Sequence, residues 1–102
     1  MPSIAQLEKL LALDPNDAFV LYGLAQEYAK AKDTAKAVEF YDRCLIADPH
    51  YCYAYYHKAR ALEEAGERDR AVGTLRAGLA AARAAGDSHA MGEIQGFLDE
   101  IE

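Results

Sequence analysis

The chain matches itself at a shift of 34 residues, and that period limits its fold more than any other feature. The shift lays Asp14-Pro15 over Asp48-Pro49, Tyr22 over Tyr56, Ala25 over Ala59, Ala37 over Ala71, Val38 over Val72 and Leu45 over Leu79. Periods of roughly 20–50 residues belong to arrays of small units, each too small to bury an apolar face except against its neighbours. Within a unit the periodicity is helical. Leu21, Leu24, Ala25 and Tyr28 recur at i, i+3, i+4 and i+7, and Val38, Tyr41 and Leu45 form a second stripe beyond a break at Lys32-Asp33-Thr34. Pro49 lacks an amide hydrogen and drives its predecessor out of the α region, so the second helix is predicted to stop near Ala47. Each unit is therefore expected to be a helical hairpin.

These residues carry a resemblance. Residues 18–51 and 52–85 resemble two tetratricopeptide repeats, the helix-turn-helix family whose pattern runs large residue, Leu-Gly, Tyr, Ala, aromatic, small residue, Pro. The first unit supplies Leu21, Leu24-Ala25, Tyr28, Ala37, Tyr41, Cys44 and Pro49. The second supplies Tyr55, Lys58-Ala59, Leu62, Ala71, Leu75 and Gly78, with Arg83 in place of the proline. Without that proline, Arg68 to Ala85 is predicted to run as one longer helix ending at Gly86, a residue suited to a left-handed cap. Lys58, at a normally apolar place, is expected to pack its stem and carry its ammonium to water.

The flanks are 1–17 and 86–102. Ser3 to Leu13 matches the second helix of a missing repeat, with Ser3-x-x-Gln6 as a capping box. Residues 86–102 depart from the repeat pattern and read as a C-terminal capping helix, begun by Asp87 or Ser88, with Met91, Ile94, Leu98 and Ile101 on one face. Gly92 and Gly96 should make it prone to fray. The expected fold is all-α, a single domain of about six helices: antiparallel helical hairpins stacked as a short right-handed solenoid.

The 102 residues carry a net charge of -6 and a pI near 5.0, which disfavours nucleic acid as a partner because that binding needs a basic surface. No stretch approaches the length of a membrane-spanning helix and the N-terminus has no basic leader, so no membrane association and a cytoplasmic location are expected. Two cysteines, Cys44 and Cys52, are too few for a disulfide scaffold and are read as free thiols.

Catalytic chemistry finds little support. Cys44, His50, Cys52 and His57 lie close in sequence, but their spacing fits no zinc pattern, and no metal or other cofactor is expected. Glu63 and Glu64 diverge by about 100° around a helix and do not converge on a substrate. Arg60–Glu64, Glu39–Arg43 and Glu64–Arg68 are read instead as helix-surface pairs. The glycines form no phosphate-binding loop. An enzyme is not expected.

The stronger signal is aromatic. Opposite the core stripes of the first helices lie Phe19, Tyr22 and Gln26, then Tyr53, Tyr56 and Arg60, where a solvated face ought to be charged. The family resemblance implies that first helices line a concave groove that receives a peptide. It places Phe19, Tyr22, Gln26 and Lys30 on that groove from the first repeat, and Tyr53, Tyr56, His57 and Arg60 from the second. For Tyr22 and Tyr56, packing between neighbouring helices is an equal alternative. The family's carboxylate clamp is not expected, because the matching positions hold Tyr22, Gln26 and His57. Lys30, His57 and Arg60 make the groove mildly basic, which suggests an acidic or aromatic-rich peptide segment of a protein partner. The alternative is self-assembly as a homodimer through an apolar surface or the terminal helix.

Overall fold

A computed structural model describes residues 2–102. Six helices follow one another: α1 (Ile4–Leu13), α2 (Ala18–Lys30), α3 (Thr34–Ala47), α4 (Cys52–Glu64), α5 (Arg68–Ala85) and α6 (Ser88–Ile101), with no strand among the described residues. The hairpins α2–α3 and α4–α5 fall within the two 34-residue units of the sequence, and each helix packs on the next along the chain. None of the described helices is long and apolar enough to cross a membrane.

The 34-residue period is written into the turns. Asp14 and Asp48 each accept a hydrogen bond from the backbone two residues on, Asn16 N at 3.2 Å and His50 N at 3.0 Å, so each Asp-Pro pair folds the same side-chain-closed turn. Ser3 and Gln6 form the reciprocal capping box, and Asp17, Asp33 and Asp87 cap α2, α3 and α6 with their carboxylates. Helix α3 stops at Ala47, and α5 continues through Ala85 to the left-handed Gly86 at φ 68°. The turns inside the two repeats are equally alike. Asp33 N donates to Tyr28 O at 3.0 Å and Glu67 N to Leu62 O at 2.9 Å, and the residue before each is left-handed. In the second repeat that residue is Gly66, but in the first it is Lys32, at φ 64°. For a residue with a Cβ this conformation costs roughly 1–2 kcal/mol.

The core of the first repeat gathers Leu7, Val20, Leu21, Leu24, Ala25, Ala37, Phe40, Tyr41 and Cys44, and that of the second runs from Ala59 and Leu62 through Ala71 and Leu75 to Ile94 and Leu98. The Lys58 side chain is mostly packed, and its ammonium pairs at 2.6 Å with the half-exposed Asp42 carboxylate of α3. Of the three surface pairs expected, Arg60–Glu64 forms at 3.6 Å, whereas Arg68 turns to Glu63 at 3.9 Å and Arg43 lies over the Phe40 ring.

Helix α6 packs on α5 and touches α4, as α4 packs on α3 and touches α2. Its buried residues Ala90, Ile94 and Leu98 take the places that Val20, Leu24 and Tyr28 hold in α2, two residues later than a strict period would put them. The extra turn of α5, partly offset by a shorter connection to α6, supplies the shift. Small residues let these layers close, since a Cβ on Gly78 of α5 would sit 2.7 Å from Tyr55 Cβ and 3.3 Å from Ile94 Cδ1.

Candidate interaction groove

The first helices α2, α4 and α6 lie side by side, so the residues turned away from their partners form one surface. Phe19, in the first turn of α2, projects with 73% of its surface exposed. Tyr22, one turn on, is half-buried. Its ring meets Tyr51 at 4.9 Å, His57 at 5.9 Å and Tyr41 at 6.1 Å, and burial pushes its phenol up to about 12. Gln26 is equally committed: its amide donates to Tyr22 OH at 3.2 Å, and its carbonyl accepts from Tyr41 OH. Tyr22, Gln26 and Tyr41 are thus joined by side-chain hydrogen bonds between α2 and α3.

On α4, Tyr56 leans against His57 at 5.2 Å and reaches Phe97 of α6 at 5.3 Å. Tyr53 is half-buried, and burial, followed by the carboxylates Glu93 and Asp87, raises its phenol. His57 is wedged between Tyr22 and Tyr56. Burial and then the Arg60 charge lower its pKa, against a smaller opposing pull from Glu93, which favours the neutral ring. Burial likewise raises the thiols, Cys44 to about 11, and both cysteines are unpaired and buried.

Between the far ends of α2 and α4 the surface deepens into a cleft of about 320 Å³. Gln26, Lys30, His57 and Arg60 all line it, joined by Ala29, Lys32, Tyr41, Ala61 and Glu64. Lys30 pairs with Glu27 at 3.1 Å and Arg60 with Glu64 at 3.6 Å. Thus four of the eight residues expected on the groove meet at the cleft. Tyr53 and Tyr56 lie toward α6, and Phe19 stands at the opposite end of α2. Sequence reasoning missed Lys32 and the α6 residues Glu93 and Phe97. Lys32 sits on a turn, outside any helical stripe, and α6 is shifted out of the repeat register. Among the described residues, no three His, Cys, Asp or Glu side chains converge as metal ligands would.

A second concavity lies on α1, lined by Pro2, Gln6, Lys9, Leu10 and Leu13, with Leu10 48% and Leu13 84% exposed.

Known proteins share the fold. A family model described as tetratricopeptide repeat matches residues 28–91. A TPR repeat-containing protein of Pseudomonas aeruginosa is 33% identical over 99 residues, covering 97% of this chain and 94% of its own length. The solution structure of a tetratricopeptide repeat domain protein from Salinibacter ruber superposes with a TM-score of 0.79 at 31% identity, over 87% of this chain and 90% of that one. A protein of Bordetella parapertussis, also solved in solution, gives a TM-score of 0.84 at 28% identity, over 99% of this chain and 88% of that one.

Proposed function

Because the chain belongs to the tetratricopeptide repeat family, whose fold generally mediates protein–protein interaction, we propose that it is a non-catalytic module binding a peptide segment of a protein partner on the face shared by α2, α4 and α6. The observation that carries this reading is the cleft where Gln26, Lys30, His57 and Arg60 converge, with the Tyr22 and Tyr56 rings packed against His57. Aromatic rings offer wide contact at little entropic cost, and arginine adds directed hydrogen bonds. With Lys30, Lys32 and Arg60 against Glu64 alone, the cleft favours an acidic segment. The test compares wild type with the pair Tyr53→Ala and Arg60→Ala in affinity capture, after circular dichroism has shown equal helicity. Loss of the captured partner is expected, and retention of every partner at wild-type yield removes the reading.

A second reading rests on the α1 concavity. Leu10 and Leu13, exposed beside Pro2 and Lys9, would be covered if two copies met through this edge. Light scattering decides it, since a mass that stays monomeric at every concentration rules it out.

A further inference from the structure

We propose that Lys32 is a specificity-determining residue of the groove, a cation held on a strained turn to receive a side-chain carboxylate of the bound segment. This rests on the groove reading above and names the chemistry of one of its contacts.

The inside turns of the two repeats have the same backbone, down to the hydrogen bond that closes them. One uses Gly66 at φ 83°, where the conformation is free of strain, and the other uses Lys32 at φ 64°, where it is not. A residue that resists its own backbone conformation persists where its side chain contributes something else, and such outliers gather at binding sites. Lys32 lies on the wall of the cleft with Lys30 and Arg60. Those two cations already have carboxylate neighbours, Glu27 and Glu64. Lys32 forms no ion pair among the described residues. Among the described residues it is the cleft cation without a carboxylate partner, and it is exposed on its turn, open to an incoming carboxylate.

Two substitutions separate charge from strain. Lys32→Gly removes both, and Lys32→Gln removes the charge while keeping a side chain in the left-handed turn. The probe is a synthetic peptide of alternating Glu and Tyr, acetylated and amidated so that only side-chain carboxylates are present. It is titrated into isotopically labelled protein and followed by amide chemical shifts. Wild type is expected to show shifts at Lys32, Lys30 and Arg60. Both variants should bind about two- to fivefold more weakly, with a flatter salt dependence. Lys32→Gly should also melt about 4 °C higher, whereas Lys32→Gln should not.

Wild-type affinity in both variants overturns the proposal, as does a wild-type protein that leaves the probe unbound. A Lys32→Gly protein that melts no higher than wild type overturns the strain argument. None of these results touches the broader groove reading, which stands or falls on the Tyr53 and Arg60 variant.

Discussion

His57 shows how a single side chain ties the groove to solution conditions. The ring sits between Tyr22 and Tyr56, and burial and then Arg60 lower its pKa below the usual 6.5, while Glu93 pulls weakly the other way. The unfolded chain therefore takes up a proton at a pH where the folded chain still refuses it. Stability contributed by the neutral ring is full above about pH 6.5 and is lost as the pH falls through that value toward the lowered pKa. Urea denaturation between pH 7.5 and about 5 should show this loss, and His57→Gln should reduce its slope. An unchanged slope in the variant would mean that other groups dominate. Helical spacing turns Tyr22 and Gln26 away from the core, and the family resemblance adds His57, but neither says anything of their depth. Helical spacing supplies a direction around an axis. What covers Tyr22 comes from elsewhere: Tyr51 from the interhelical turn, Tyr41 from α3 and His57 from α4.

Helices are where the sequence was most readable, because the signals that begin and end them are local. The Ser3 box, the start of α6 at Asp87, the stop before Pro49 and the run of α5 to Gly86 all follow from residues within a turn of the feature they control. The register of α6 was less legible. Its offset depends on the length of α5, and a search at a fixed period passes over it. Glycines test this packing. Gly78→Ala would drive a methyl to 2.7 Å from Tyr55 Cβ, atoms that cannot swing aside, and should destabilise by about 1–3 kcal/mol as α4 and α6 are forced off α5. Gly92→Ala has open space around it in a helix interior, so it should stabilise by roughly 0.5–1 kcal/mol. Equal effects at the two sites in urea denaturation would contradict the packing described. Helix α6 runs unbroken from Ser88 to Ile101, with its buried face set against α5.

At the scale of the whole molecule, the net charge of -6 hides an uneven distribution. Cations gather at the cleft between α2 and α4, while α6 carries Glu93, Asp99 and Glu100 and no Lys or Arg. An acidic segment bound as proposed would be drawn toward the cleft cations and away from the acidic α6, which would fix the direction in which it lies. The central claim is that this face, and not the outer surface or the α1 edge, meets the partner. Site-specific photo-crosslinking measures that directly, with the photoreactive residue placed in turn at Tyr53 on α4, at Ile46 on the outer side of α3 and at Leu13 on α1. Ile46 is 82% exposed, Leu13 84% and Tyr53 half-buried, so all three positions reach solvent while reporting different faces. The account predicts a covalent adduct with a partner protein from position 53 and none from position 46 or 13. Adducts from position 46 with none from 53, or a dimer of this chain from position 13 alone, would contradict it.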